Sequence, residues 1–152
     1  MSSLSRTAPS EHGFAFVELM IVIAILGLLA TIAFPGYRDY VLRVRRTEAT
    51  RALIDVAQKM ENYFVSNKTY TNNLIALGFN ADPFITEDDN YSLEVRDNGG
   101  GGGACPIAVC FELEATPIDQ QADDTDCALF RLNSDLVKTA FADDNSQNNS
   151  CW

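Results

Sequence analysis

The feature that most limits this chain is a single apolar run. From Phe14 to Phe34, 18 of 21 residues are Ala, Val, Ile, Leu, Met or Phe, and the only charge is Glu18. As a helix at ~1.5 Å per residue the run is ~31 Å long, close to the ~30 Å hydrocarbon core of a bilayer. A purely cytosolic globule rarely contains such a segment, so that class is excluded first. The chain has 152 residues, which leaves room for one ordinary domain after the run. Its net charge of −10 argues against a nucleic-acid binder working by bulk attraction, because phosphates are repelled. Charged residues at 21% and aromatics at 10% argue against wholesale disorder.

Three accounts of the run compete. A secretory signal has an apolar core of ~7–15 residues and an A-x-A-like end. This run is longer, and Thr31 and Ala33 before Phe34 make a weak site. A plain membrane anchor tolerates Glu18 poorly, at ~2.5–3.5 kcal/mol near the bilayer centre and less near an interface. The third account gives the carboxylate a cation to pair with. It starts from the short polar segment Met1 to Gly13, which carries Arg6, Glu11 and His12.

The stretch Gly13-Phe14-Ala15-Phe16-Val17-Glu18-Leu19 resembles the prepilin processing motif of type IV pilins. The resemblance implies cleavage after Gly13, N-methylation of the new N-terminal Phe14, and a glutamate, Glu18, at the fifth mature position. Ala15-Phe16-Val17 replaces the family's usual Thr-Leu-Ile, a change in packing more than in processing. The leader is also only weakly basic, with Arg6 offset by Glu11. Gly27 and Pro35 stand at the spacings where pilins carry a glycine and a proline, and the helix between them melts in the family's filaments. Both residues weaken a helix, by ~1 kcal/mol for Gly27 and by loss of a backbone donor at Pro35. Glycine is also common in membrane helices, and a proline marks many bilayer exits. A bare carboxylate in an apolar filament core is costly. The implied mechanism pairs Glu18 of one subunit with the Phe14 amine of a neighbour, which sets axial register.

From Gly36 to Ser66 the pattern stays helical and becomes amphipathic. Tyr37, Tyr40, Val41, Val44, Ala49, Ala52, Leu53, Val56, Ala57, Met60, Tyr63 and Phe64 recur at spacings of three and four and predict one apolar face. Arg43, Arg46, Thr50, Asp55, Lys59 and Asn62 predict the other, solvated face. Phe14 to Ser66 would form a helix ~80 Å long if continuous, with a bend allowed at Pro35. Arg38, Arg43, Arg45, Arg46 and Arg51 follow the apolar run, against one arginine before it. Loop counting would put the C-terminal side in the cytoplasm; the processing motif and the cysteines place it outside. The arginines suit acidic surfaces of neighbouring subunits, since 17 carboxylates lie beyond Arg51 with only Lys59, Lys68, Arg96, Arg131 and Lys138 as cations. Lipid headgroups and DNA are the other partners for this cluster.

After Ser66 the helical period stops. Asn67 to Asn73 predicts a polar turn, Leu74 to Leu77 a short helical turn ended by Gly78, and Asp82-Pro83 to Asn90 a loop. Strands are predicted over Tyr91–Arg96, Ile107–Thr116, Ala128–Asn133 and Leu136–Ala140. The Ile107–Thr116 strand is expected to bury Val109, Phe111, Leu113 and Ala115 and to end at Pro117. The expected fold class is α+β: a long N-terminal helix, its first half hydrophobic and its second amphipathic, packed on a four-stranded antiparallel sheet.

The four cysteines, Cys105, Cys110, Cys127 and Cys151, all lie in this head, an even count that fits an oxidising compartment. Three pairings are open on the residues alone. The resemblance to pilins implies Cys127 with Cys151, leaving Cys105 with Cys110. No metal site is predicted: zinc lacks histidine ligands, and Asp119, Asp123, Asp124 and Asp126 do not match a calcium loop and read as a solvated turn. Sequons at Asn67, Asn90 and Asn148 are unremarkable. No Ser/His/Asp set or phosphate-cradling loop is present, so an enzyme and a cofactor are not expected.

The chain therefore resembles the type IV pilins, closest in pattern to PilE-like minor pilins, some of which end as this chain does in Cys151-Trp152. The implied layout is a leader (1–13), a transmembrane and filament-core helix half (14–35), an amphipathic half (36–66) and a head (67–152). The implied partners are other pilin subunits, a prepilin peptidase and methylase, the inner-membrane assembly machinery, and lipid before assembly, with no small-molecule substrate. The implied location is the inner membrane with the head in the periplasm, then an extracellular pilus serving adhesion, motility or DNA uptake. The alternatives are a DNA-capturing minor pilin and a type II secretion pseudopilin.

Overall fold

A computed structural model describes residues 16–96 and 106–152. Gly13, Phe14, the leader and Cys105 lie outside the described residues. The chain divides between Arg38 and Asp39 into two compact units.

In the first unit the polypeptide is helical from Phe16, the start of α1 (Phe16–Asn67). No polar run interrupts the apolar residues here, and the large side chains from Phe16 to Ile32 are exposed all round the helix. Among the described residues of this unit none covers them. Among the described residues no single helix is long and apolar enough to cross a membrane by itself. The segments Phe16–Ile32 and Gly36–Asn67 meet that test by length and composition only when taken together.

The second unit packs the rest of α1 on an antiparallel sheet. Its strands are β1 (Phe84–Ile85), β2 (Tyr91–Val95), β3 (Glu112–Pro117), β4 (Leu129–Asn133) and β5 (Lys138–Phe141), neighbouring one another in chain order. Alternation of period two places Tyr91, Leu93 and Val95 on the helix side of β2, Leu113 and Ala115 on β3, and Phe130 and Leu132 on β4. Ala49, Leu53, Val56, Ala57 and Met60 meet them from α1. Fully burying each large side chain stabilises by ~1.5–3 kcal/mol, so this core explains why the amphipathic half of the helix belongs to the head.

Four expectations are corrected. The sheet has five strands, not four: Phe84 and Ile85 pair with Leu93 and Ser92 inside the expected loop. Two residues carry no readable alternation, so β1 depends on β2 as its template. β3 begins at Glu112 rather than Ile107, because Val109 N–H and Cys110 N–H both donate to the Pro106 carbonyl and close a turn. Val109 is consequently exposed while Phe111 is buried. On α1 the apolar face is narrower than expected: Tyr37, Tyr40 and Val44 are exposed. Arg46, expected on the solvated face, is drawn into the head, as described next.

The turn after α1 follows its sequence signals. Asn73 accepts from Ile75 N–H at 2.9 Å to start a 3-10 turn over Leu74–Leu77, and Gly78 ends it at φ 91°, a conformation that favours glycine.

Candidate assembly site and the tie between helix and head

Glu18 lies in the first described turn of α1, exposed, on a segment otherwise built of apolar side chains. Further along, a side chain added at Gly27 would meet nothing within 4 Å. Thr31 Oγ1 donates to the Leu28 carbonyl at 2.7 Å, a local alternative to the helical ladder just beyond that glycine. Pro35 lies within α1, where it supplies no backbone donor. Glu18, Gly27 and Pro35 are thus spread along one element, and no described side chain of the chain reaches Glu18.

In the second unit a polar network ties α1 to the segment before β4. Arg46 Nε and Nη2 donate to the two carboxylate oxygens of Asp124, both at 2.7 Å. The Asp124 side chain is 3% exposed and that of Arg46 12%. Gln121, fully buried in the 3-10 turn Asp119–Asp123, holds its Nε2 3.1 Å from the Leu42 carbonyl, 2.9 Å from Tyr91 Oη and 3.1 Å from Asp124. The bidentate hydrogen bond raises the Arg46 guanidinium above its ordinary value against the opposing effect of burial. Burial, then the Asp124 charge, pushes the Tyr91 phenol up. The expectation of a solvated Asp119–Asp126 turn is therefore wrong at Asp124, whose charge is consumed by Arg46.

A second tie holds the loop before β2. Glu48 accepts from Asn90 Nδ2 at 2.6 Å and from Asp88 N–H at 3.2 Å. The third is covalent: Cys127 and Cys151 form a disulfide with Cα atoms 5.8 Å apart. Behind it Trp152 Nε1 donates to the Thr139 carbonyl, and its ring meets Phe130 edge-on. Cys110 is also disulfide-bonded; its expected partner Cys105 is outside the described residues.

The surface left by these ties is acidic. An open cleft of about 680 Å³ is lined by Asp88, Asp89, Asp119 and Asp123 with Arg45. Among the described residues no group of three or more His, Cys, Asp or Glu is placed to hold a metal. Most head cations already have partners: Arg96 lies 3.3 Å from Glu112, Arg131 2.8 Å from Glu114, and Lys138 sits over the Trp152 ring. Sequence reasoning did not single out Gln121, Tyr91 or Glu48. A glutamine amid four aspartates was the only signal for the first, and Leu42 and Tyr91 lie far from Gln121 in sequence, as Asp88 and Asn90 do from Glu48.

A helix whose first half is apolar and uncovered, and whose second half is buried under a disulfide-stapled antiparallel meander, defines a type IV pilin. The comparisons agree. Residues 35–131 match the family described as "Type IV minor pilin ComP, DNA uptake sequence receptor", and the chain belongs to that family. Residues 9–34 match the prokaryotic N-terminal methylation motif. A fimbrial protein of Pseudomonas aeruginosa is 33% identical over 101 residues, 60% of this chain and 64% of that one. The type IV major pilin protein PilE1 of Neisseria gonorrhoeae is 34% identical over 90 residues, 59% of this chain and 49% of that one. Matches thus span roughly half to two thirds of these relatives' length. The crystal structure of the non-core minor pilin PilV of Neisseria meningitidis shares the fold, with a TM-score of 0.50 at 22% identity, covering 70% of this chain and 93% of that one.

Proposed function

We propose that this chain is a filament subunit of the minor-pilin kind, cleaved after Gly13, methylated on Phe14, and built into a pilus by separate assembly proteins. The observation that carries the reading is the exposed apolar helix from Phe16 to Ile32 with one carboxylate, Glu18, in its first described turn. Such a surface is stable in lipid or inside a bundle of like helices, and not in water. The subunit first spans the inner membrane with its head in the periplasm and then moves to the filament. In the filament Glu18 pairs with the methylated Phe14 amine of a neighbour, because any other stagger buries both charges unpaired. Gly27 to Pro35 is the stretch that loosens on packing. The partners are other pilin subunits, the processing peptidase and the assembly machinery, and the role is structural rather than enzymatic. Glu18→Ala tests the pairing: its abundance in sheared filaments should fall at least tenfold while the membrane pool is unchanged. Wild-type abundance in filaments would sink it.

A second reading is favoured by the family match: a subunit that captures DNA during uptake. The paired head cations and the acidic cleft oppose a broad electrostatic footprint, so capture here would depend on specific base contacts more than on phosphate attraction. Binding of a duplex at two salt concentrations by detergent-solubilised subunit decides it. No sequence-dependent retention at low salt would remove this reading.

A further inference from the structure

We propose that the apolar face at the end of the head where α1 stops, built from the turns at 106–109 and 133–137, binds the surface of an anionic lipid bilayer. The face belongs to the second unit. At ~1.5 Å per residue, Asn67 at the end of α1 lies about 42 Å along the helix axis from Asp39, through which the chain continues to the stem. None of its residues belongs to the stem, so it stands whether or not the filament reading holds.

Three segments form the face. Tyr70 N–H donates to the Ile107 carbonyl at 3.1 Å, and Ser134 N–H to the Phe111 carbonyl at 3.0 Å. These bonds bring the chain after α1, the turn before β3 and the β4–β5 turn side by side. Val109 is 66% exposed, Leu136 65% and Val137 53%. Pro106, Ile107 and Ala108 are exposed beside them. The β4–β5 turn is fixed from within: Asn133 Oδ1 accepts from Asp135 N–H at 3.0 Å and from Val137 N–H at 2.8 Å, and Leu136 N–H donates to the Asn133 carbonyl at 2.9 Å. Leu136 has φ 60°, a left-handed conformation that glycine, asparagine or aspartate adopts at lower cost. An exposed leucine there adds nothing to the core of the head, and its chemistry suits an apolar phase outside the molecule.

Area and charge select the occupant. The apolar surface is roughly 400 Å², within the range of functional patches and about half of the ~800 Å² that each side of a stable protein complex buries. Acyl chains need no matching shape, so lipid suits a footprint this small. Lys68 and Lys138 flank the face, and Asp135 is the one carboxylate in its three segments. That balance is the reverse of the head as a whole, where 17 carboxylates and five cations lie beyond Arg51. Duplex DNA suits the face less well. Bases are read by free amides, guanidinium groups and stacked rings. Here the Asn133 amide oxygen is held by its own turn, and Tyr70 is buried.

The test is co-flotation of the full-length subunit, carried in zwitterionic nanodiscs, with added vesicles. Phosphatidylglycerol-rich vesicles should carry it upward, and empty nanodiscs should stay behind. Leu136→Asp and Val109→Asp should each weaken flotation at least tenfold, while Thr116→Asp on the exposed face of β3 should not. Aspartate tolerates the left-handed conformation better than leucine, so Leu136→Asp leaves the fold intact, which the unchanged near-ultraviolet circular dichroism of the head would verify. Lys68→Gln should weaken flotation about fivefold, the contribution of one cation near an anionic surface. A wild-type subunit that stays behind with the empty nanodiscs overturns the proposal, and so does Leu136→Asp floating like wild type. Equal flotation with phosphatidylcholine vesicles would overturn the anionic preference. Retention of duplex DNA that Leu136→Asp abolishes, without vesicle binding, would assign the face to nucleic acid instead.

Discussion

Arg46 and Asp124, 78 residues apart in sequence, meet through two parallel hydrogen bonds of 2.7 Å in the interior of the head. The pair sets where the second half of α1 sits on the sheet, with Gln121 bridging the same carboxylate to the Leu42 carbonyl and to Tyr91. A guanidinium matches a carboxylate in two bonds, which a lysine cannot do.

Removing one partner strands the other. Arg46→Ala should lower head stability by about 3–5 kcal/mol, the cost of a buried charge left unpaired. The double variant Arg46→Met, Asp124→Leu should recover most of that loss, since replacing both ions removes the desolvation penalty. Urea midpoints of the detergent-solubilised subunit compare the two. A double variant as unstable as Arg46→Ala would show that packing, not charge, explains the loss.

The sign of the pH dependence follows from Tyr91. Its phenol is raised above the ordinary value of 10.0, so the folded head holds that proton more tightly than the unfolded chain. The stabilisation is complete below pH 10 and is lost as pH rises beyond it toward the folded-state value. The raised Arg46 guanidinium acts in the same direction, at still higher pH. Denaturation should therefore be flat near neutrality and steepen above pH 10. Tyr91→Phe should flatten the alkaline limb, and an unchanged limb would exclude Tyr91 as its source.

The loop before β2 should respond to Glu48. Its carboxylate holds both Asn90 and the Asp88 N–H, and bonds to a charged group contribute about 1.5–3 kcal/mol. Glu48→Ala should accelerate amide exchange over 86–90 by about tenfold or more, leaving β3 and β4 protected. Uniform acceleration across the sheet would mean that Glu48 acts on the whole head.

The Cys127–Cys151 bridge closes a sequence separation of 24 residues, so opening it should cost about 3 kcal/mol on the chain-entropy account. Cys127→Ser with Cys151→Ser should also free Trp152 from Phe130, read as a red shift of its fluorescence. An unshifted spectrum would mean that the ring is held without the staple.

Much of this architecture is legible in the sequence because local signals speak for it. The apolar run, the period along α1, the Asn73 and Gly78 signals and the alternation over Tyr91–Val95 each depend on near neighbours. The Arg46–Asp124 tie was not legible, since a helical wheel puts any arginine in water unless a distant carboxylate is known. Val109 misled for a related reason: its alternation with Phe111 suits a strand, but Pro106 closes a turn first. β1 is too short for any pattern. The pairing of Cys127 with Cys151 came from resemblance, because spacing alone allows three connectivities.

The account rests on processing at Gly13 and on the charge created at Phe14. Mass spectrometry of the chain recovered from purified filaments measures both at once. The account predicts a mature N-terminal peptide beginning with N-methylated Phe14. Chains in filaments that retain Gly13, or that begin at any other residue, would contradict it.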